Sequence, residues 1–316
     1  MALIAAMLAA GVAVTPEGAE GAAAASSTKR WARLEPSPLR RSEVAAARVG
    51  RFVYVAGGFL GPGGETTNKV ARYDIRRDRW KVVSPMPLAV NHPAATSWGG
   101  KVYVHGGYGD PTGLEAASSR LFEYDPKRDR WRELAAAPTP RAAHALVAID
   151  GRLYAAGGAN SASDQLTSLE VYGIASGTWA PGAPMSVGRN HVAYTALEGR
   201  LYVMGGRPPF NVAVVERYDP ATNAWTTLAP LNTPSSGFAA ATVGGRIAAF
   251  GGEAGAIIPA AELYDPATNT WSSLPDMRTP RHGLGAASKG ARVYALEGGP
   301  QPGGTFANVA EFLDVR

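Results

Sequence analysis

The chain consists of short apolar runs separated by turn-forming residues, and one order of runs recurs along its length. An Ala-rich run such as AHALVAI comes first, and a run that ends in two glycines, such as RLYAAGG, follows it. A third run ends at a tyrosine and a fourth begins at a tryptophan, with Asp-Pro and Asn residues between them. Short runs bounded by turn residues predict β-strands joined by hairpins, four in each unit.

The glycine pairs set the period of this repeat. Five runs end in Gly-Gly, and a sixth, RVYALEG, carries Glu297 where the first glycine should stand. Aligned on these positions, successive units are 49, 51, 48, 46 and 46 residues apart. A period of about 50 residues is typical of repeat proteins whose unit is a four-stranded blade. The predicted inner strands begin near Arg41, Val90, Arg141, Arg189, Ser235 and Arg281.

The phrases YDPATNAW and YDPATNTW show what each unit repeats. Asp-Pro and Asn favour a turn, while tyrosine and tryptophan are large enough to fill the space between sheets. Trp31 stands ten residues before Arg41, in the register of the other tryptophans, and the last unit reaches Arg316 before a tryptophan of its own. We therefore predict that residues 31–34 pair beside residues 308–316 as an outer strand, which removes the exposed sheet edges that an open stack of blades would leave.

Through the Gly-Gly pairs and the Tyr-Asp-Pro…Trp phrases, residues 31–316 resemble the kelch-repeat β-propeller family. The resemblance implies an all-β, six-bladed propeller whose ring is closed by the N-terminal strand joining the last blade. It also implies a single domain over residues 26–316. The Ala-rich first strands agree with this fold, because alanine is a poor strand former and small side chains suit the crowded strands around a propeller axis.

The first 25 residues differ from the repeat. Leu3 to Val14 is an apolar run of signal-peptide length, and Ala23 to Ala25 supply the small residues of a cleavage site. No Lys or Arg precedes the apolar run, so a disordered tail is the alternative to a signal peptide over residues 1–25. The expected location is extracellular or periplasmic, and cytoplasmic under the alternative. No other segment is long and apolar enough to span a membrane.

The composition and the missing motifs exclude several kinds of site. The chain has no cysteine, which excludes disulfides, zinc-thiolate sites and thiol nucleophiles. Its net charge of +5 is spread along the chain, whereas a nucleic-acid-binding surface would concentrate its basic residues. Phosphate-binding loops, G-x-S-x-G elbows and H-E-x-x-H helices are also missing from the sequence. We expect a monomer with no cofactor and no nucleic-acid partner.

The loops that follow the glycine pairs vary, and the topology places them with the connections between blades on one side, which we call the loop face. Variable loops on a regular scaffold predict a binding surface. Arginine begins four of the six units and would suit a carboxylate or phosphate ligand. Alternatively, these arginines cap neighbouring strand carbonyls or pair with acids such as Glu43. The four are Arg41, Arg141, Arg189 and Arg281.

Histidines cluster near the same unit starts. Asn91-His92 and Asn190-His191 occupy equivalent positions, and His282 lies close to them in the repeat. Because these blades are separated, we expect the histidines to face each other across a wide channel. Metal ligands must converge on one ion, so no metal site is predicted, and the histidines and asparagines are assigned to ligand hydrogen bonding. His105 is interpreted as a core histidine.

Glu297 departs most clearly from the repeat. A hairpin centred near Lys289 places it opposite Arg281 across a strand pair. This placement fits an ion pair, or a general acid or base that the arginine tunes. Glu253 and Arg207, which come first in their post-glycine loops, are weaker candidates of the same kind.

Two functions fit these residues. The first is a secreted binding module without catalysis, which binds a protein segment or a glycan, including an anionic one, on the loop face. The second is a carbohydrate isomerase similar to the bacterial kelch-type sialic acid epimerases (mutarotases), which act on acidic sugars. In that reading Arg141, Arg189 and Arg281 hold the sugar carboxylate. Glu297 or Glu253 then moves the proton. A structural scaffold within a larger assembly is a third option.

Overall fold

The computed structural model describes residues 30–316 except 62, 111–112, 162–164 and 208. Within these residues the regular structure is all β. The predicted signal peptide at residues 1–25 lies outside the described residues. None of the described residues forms a helix with the length and apolar character of a membrane span.

The strands are short, and most have five residues. In chain order they are β1 (Ala32–Arg33), β2 (Arg41–Ser42), β3 (Ala45–Val49), β4 (Phe52–Ala56), β5 (Phe59–Leu60), β6 (Glu65–Thr66), β7 (Val70–Asp74), β8 (Arg79–Val83), β9 (Ala94–Trp98), β10 (Lys101–His105), β11 (Leu121–Asp125), β12 (Arg130–Leu134), β13 (Ala145–Ile149), β14 (Arg152–Ala156), β15 (Leu169–Gly173), β16 (Thr178–Gly182), β17 (Ala193–Leu197), β18 (Arg200–Met204), β19 (Val215–Asp219), β20 (Ala224–Thr227), β21 (Ala239–Val243), β22 (Arg246–Phe250), β23 (Ala261–Asp265), β24 (Thr270–Leu274), β25 (Gly285–Lys289), β26 (Arg292–Leu296) and β27 (Ala310–Asp314).

The described strands form six four-stranded antiparallel sheets and one small three-stranded sheet, β2-β5-β6. We number the four-stranded sheets as blades 1 to 6. Their orders are β3-β4-β7-β8, β9-β10-β11-β12, β13-β14-β15-β16, β17-β18-β19-β20, β21-β22-β23-β24 and β25-β26-β27-β1. The inner strands β3, β9, β13, β17, β21 and β25 each contact the next, and β25 contacts β3. The prediction of an all-β propeller is confirmed.

The N-terminal strand lies in the last blade. Ala32 pairs with Phe312 and Arg33 pairs with Glu311. Trp31 is only 3% exposed, and its indole N–H donates to the carbonyl of Pro275 at 2.9 Å. The other repeat tryptophans make the same kind of bond to the blade before them, so Trp31 does for blade 6 what they do elsewhere. Those bonds run from Trp80 to Glu35, Trp131 to Ser84, Trp179 to Ala135, Trp225 to Ala183 and Trp271 to Ala229.

Glycine pairs end the second strands because neighbouring backbone comes very close. A Cβ added to Gly57 would lie 2.6 Å from the carbonyl oxygen of Val90, which begins the next blade. Gly57 also has a φ of 68°, in the left-handed region that favours glycine. The glycine pair therefore lets one blade approach the next at the loop face.

The Ala-rich inner strands surround a narrow central channel of about 390 Å³. Tyr194 projects from β17 across this channel, and its hydroxyl accepts a hydrogen bond from the Ala95 N–H of β9 at 3.1 Å. Burial raises the pKa of Tyr194 to about 12. One tyrosine side chain therefore connects the inner strands of blades 2 and 4, which lie on either side of blade 3.

Candidate functional site at the channel mouth

A ring of six backbone hydrogen bonds surrounds the channel at the loop face. In five of the bonds the donor N–H and the acceptor C=O come from equivalent positions of adjacent blades, and in the sixth the donor is Val44, one residue after the equivalent position. All six of the equivalent positions have positive φ. We call these residues the mouth ring: Glu43, His92, Ala143, His191, Gly237 and Gly283. The bonds run from His92 N to Glu43 O (3.0 Å), Ala143 N to His92 O (2.9 Å), His191 N to Ala143 O (2.8 Å), Gly237 N to His191 O (2.9 Å), Gly283 N to Gly237 O (2.7 Å) and Val44 N to Gly283 O (3.3 Å).

The mouth ring changes where the inner strands begin. The sequence predicts that the inner strands begin at Arg41 and at the equivalent position of each other unit. Each inner strand instead begins four residues later, as β3 does at Ala45. Left-handed residues such as Glu43 and His92 interrupt extended backbone before the strand. The segment that contains them turns toward the propeller axis and narrows the channel.

The side chains of the mouth ring converge on the axis. Glu43, His92 and His191 each offer an atom within 4.8 Å of those of the other two. The His92 and His191 rings lie 4.8 Å apart between centroids. His282 also reaches this group, with its Nε2 3.4 Å from Glu43 Oε1. The expectation that these histidines face each other across a wide channel is therefore wrong, because it ignored the inward turn of the mouth ring.

The asparagines hold the histidines rather than pointing into open space. Asn91 Oδ1 lies 2.7 Å from His92 Nδ1, and Asn190 Oδ1 lies 2.6 Å from His191 Nδ1. Burial lowers the pKa of His92, and it lowers that of His191 to well below its usual range. Both imidazoles are therefore held neutral near pH 7.

Arg207 and Glu253 form the solvent side of the mouth. Their side chains pair at 3.0 Å, and Arg207 also donates to His191 Nε2 at 3.1 Å. Short bridges place them there, because Arg207 pairs with Asn190 and Glu253 pairs with Ser236. The Arg207 side chain is 34% exposed, so it is the accessible cation of this group.

The four unit-start arginines have no exposed surface. Each guanidinium donates to the backbone carbonyl sixteen residues later, at the end of the second strand of its own blade. These carbonyls belong to Gly57, Gly157, Gly205 and Glu297 for Arg41, Arg141, Arg189 and Arg281. Their ligand-binding role stays a prediction, and the geometry favours the alternative in which they cap strand carbonyls.

Each of these arginines also has a buried carboxylate partner. Three partners are third-strand glutamates: Glu170 for Arg141, Glu216 for Arg189 and Glu311 for Arg281. Blade 1 has Ala71 at that position, and Arg41 pairs instead with Glu297 of blade 6 at 2.7 Å. The predicted pairing of Glu297 with the Arg281 side chain is wrong, because Arg281 already has Glu311 and takes only the Glu297 backbone carbonyl.

A family comparison adds to this geometry. The chain matches the KLHDC2/KLHL20/DRC7 Kelch-repeats domain over residues 43–252 and 91–299, two overlapping regions that together cover most of it. The chain belongs to the kelch-repeat family.

Known relatives of this kelch propeller share only part of its length. It is 35% identical over 91 residues to Kelch-like ECH-associated protein 1B of Danio rerio, covering 28% of this chain and 16% of that protein. It is 38% identical over 92 residues to Kelch-like protein 26 of Mus musculus, covering 29% of this chain and 15% of that protein. The kelch match thus spans less than a fifth of these two relatives.

One solved structure resembles this chain over most of its length. The structure of YjhT superposes with a TM-score of 0.77 and covers 88% of this chain and 95% of its own, at 16% sequence identity. At that identity the likeness shows the fold alone.

Sequence reasoning missed the third-strand glutamates as partners of the arginines. Blades 3, 4 and 6 carry both an arginine at the unit start and a glutamate at the second position of the third strand. Blade 2 has Val90 and Phe122 at these positions and therefore lacks both charges. This joint presence and absence in four of the six blades is the signal in the sequence that points to buried pairs, whereas blade 1 carries only the arginine and blade 5 only the glutamate, Glu262.

Acid should destabilise this kelch propeller through a second histidine pair. His105 and His144 are buried, with Nδ1 of His105 2.9 Å from Nε2 of His144, and burial lowers the pKa of His105 to about 3. The unfolded chain binds more protons below its usual histidine pKa, so stability is present above about pH 6.5 and is lost as the pH falls toward 3. Urea unfolding from pH 7 to 4 measures this loss.

A variant without this pair provides the control. Leucine and valine stand at the equivalent positions of other blades, Leu296 and Val44, so His105→Leu with His144→Val suits the fold. We expect its stability to fall less steeply with acid than that of the wild type. Equal slopes in the two proteins would contradict the assignment.

Proposed function

We propose that this kelch propeller binds a segment of a partner protein on its loop face. Kelch-repeat propellers typically act as protein-interaction modules. The observation that carries the proposal here is Phe210, which is 81% exposed. Among the described residues the other large exposed apolar side chains are Val82 and Trp98, and both are less than half exposed.

The two residues that follow Phe210 are held by hydrogen bonds. Asn211 donates to the carbonyl of Glu253, and the Val212 N–H donates to the carbonyl of Gly206 at 2.9 Å. An exposed aromatic ring next to hydrogen-bonded backbone is a typical anchor of protein interfaces, because less conformational entropy is lost when it is buried. The adjacent Arg207–Glu253 pair offers both charges to a bound segment.

Selection of a displayed peptide library against the propeller tests this proposal. We expect Phe210→Ala to weaken binding of a selected peptide at least tenfold, since truncation of an anchor typically costs about 2 kcal/mol or more. Trp98→Ala is the matched control, because Trp98 lies at the end of the inner hairpin away from the loop face. Peptides that bind both variants equally, or glycans that bind where no peptide does, would overturn the proposal.

The acidic-sugar alternative stays a prediction, and the arginines do not support it. Arg141, Arg189 and Arg281 are fully buried and already hold carboxylates and carbonyls of their own blades. Breaking such pairs leaves a buried charge unpaired. Turnover assays with acidic sugars test this alternative, and detected epimerisation would favour it over the binding module.

We also infer that the protein is an exported monomer. Support for export comes from the apolar run Leu3 to Val14 and the alanines at 23–25. N-terminal sequencing of protein recovered outside the cytoplasm should show cleavage after about residue 25. Light scattering of the same sample should give the mass of one chain, and retention of residues 1–25 would contradict the inference.

A further inference from the structure

Three imidazoles at the channel mouth have their tautomers fixed in the same way. His282 Nδ1 lies 3.1 Å from the Gly299 carbonyl, which only accepts, so Nδ1 carries the proton. His191 Nε2 accepts from Arg207, so its proton is also on Nδ1, facing Asn190. The neutral forms of both rings therefore present a lone pair at Nε2.

His92 follows the same pattern through its asparagine. The Asn91 amide nitrogen donates to Thr66 Oγ1 at 2.8 Å and to the Gly113 carbonyl at 3.3 Å. This orientation turns Asn91 Oδ1 toward His92 Nδ1, which must donate to it. The lone pair of neutral His92 is left at Nε2.

Two of these lone pairs, those of His92 and His282, face a carboxylate. His92 Nε2 lies 3.1 Å from Glu43 Oε2, and His282 Nε2 lies 3.4 Å from Glu43 Oε1. Acceptors that face acceptors in a largely buried site repel each other unless a positive charge lies between them. Either protons or a metal ion supplies that charge, and one metal ion would serve all the acceptors at once.

We propose that Glu43, His92, His191 and His282 bind one first-row transition metal ion, such as Zn²⁺, at the channel mouth. Three imidazole nitrogens and one carboxylate oxygen suit the ligand preferences and the four-coordinate geometry of Zn²⁺. Metal-binding histidines usually donate their other N–H to a carbonyl or a carboxylate, and the fixed Nδ1 protons match that pattern. The ligand atoms of Glu43, His92 and His191 already lie within 4.8 Å of one another, and His282 reaches Glu43 at 3.4 Å. A bound ion would hold each ligand atom at about 2.1 Å.

Arg207 competes with the metal for His191. Its guanidinium donates to the His191 lone pair at 3.1 Å, but it also pairs with Glu253 and is partly exposed. Metal binding therefore requires Arg207 to release His191 and keep Glu253. The competition predicts that removing this arginine tightens binding, which a merely structural histidine cluster does not predict.

Calorimetric titration of the tag-free, chelator-stripped chain with Zn²⁺ tests the site. We expect one ion per chain, at least a hundredfold weaker binding in Glu43→Gln and in His92→Gln, and tighter binding in Arg207→Met. Glu65→Gln and His144→Val are the matched controls, because Glu65 is exposed and His144 belongs to the other histidine pair. Both controls should bind as the wild type does.

A spectroscopic measurement on the unmutated chain covers the case in which a variant fails to fold. Co²⁺ in place of Zn²⁺ should give the visible absorption of a four-coordinate nitrogen and oxygen site, and added Zn²⁺ should remove it. The proposal is overturned if no such absorption develops, if Mg²⁺ binds as tightly as Zn²⁺, or if folded Glu43→Gln keeps wild-type affinity. Unchanged Zn²⁺ affinity in Arg207→Met also counts against it.

Discussion

Replacing Glu297 by glutamine should lower the free energy of unfolding by about 3–5 kcal/mol, because it leaves the buried Arg41 guanidinium without its counter-charge. Arg41 donates to both Glu297 oxygens, from Nε at 2.7 Å and from Nη2 at 3.0 Å. Neither side chain has exposed surface, so water cannot replace the lost carboxylate. Urea unfolding at equilibrium measures the change.

A double variant separates this pair from a general loss of packing. The equivalent contact between blades 1 and 2 has no charged side chain. Val90 stands there in place of Arg41, and Gly57 stands in place of Glu297. Glu297 has a φ of 58°, so glycine at this position also relieves a left-handed backbone. Arg41→Val with Glu297→Gly should therefore be more stable than either single variant.

The outcome of the double variant decides the interpretation. If the two losses add, Arg41 and Glu297 do not act as a pair. Arg292→Ala is the surface control, because Arg292 and Asp314 form a partly exposed ion pair. Its removal should cost less than about 1 kcal/mol.

Replacing Trp31 by alanine should cost about 3–5 kcal/mol, the usual range for a buried aromatic side chain. Trp31 packs edge-on against Phe250 with ring centroids 5.2 Å apart, and it bonds to Pro275 in blade 5. Its loss should also free β1 from β27. Amide exchange in β27 should then accelerate more than exchange in the inner strands.

Two control variants accompany the Trp31→Ala prediction. Trp98→Ala removes an indole that is 39% exposed and should change stability little. Trp271→Ala removes a repeat tryptophan from blade 5 without touching β1, so it should spare the exchange rates of β27. Faster exchange in β27 of both Trp31→Ala and Trp271→Ala would show general destabilisation instead of a local opening.

The blades could be predicted from the sequence because each repeats the same local chemistry. The glycine pair, the turn and the Tyr–Trp pair recur in register. Each has a local role, since glycine allows close backbone approach, Asp-Pro and Asn favour a turn, and the aromatic side chains fill space between sheets. Trp31 belongs to that set, since its spacing from Arg41 matches the other units. Its contact with Pro275 is what the register implies.

The channel mouth could not be predicted in the same way. Glutamate and alanine at positions 43 and 143 give no sign of left-handed backbone, and only the glycines at the equivalent positions 237 and 283 point to it. The inward turn comes from six blades meeting at one axis, and no single unit contains that information. The arginines were ambiguous for a related reason, since a guanidinium suits a carboxylate ligand and a buried glutamate equally well.

The pairing of β1 with β27 has a consequence for biosynthesis. Strand β1 leaves the ribosome before every other strand of the propeller and must wait for β27 before blade 6 is complete. Until then the nascent chain carries one unpaired strand, and the pairing itself joins positions far apart in sequence, which is slow to form. A factor that shields residues 31–34 during translation would speed maturation, whereas shielding an inner hairpin would not.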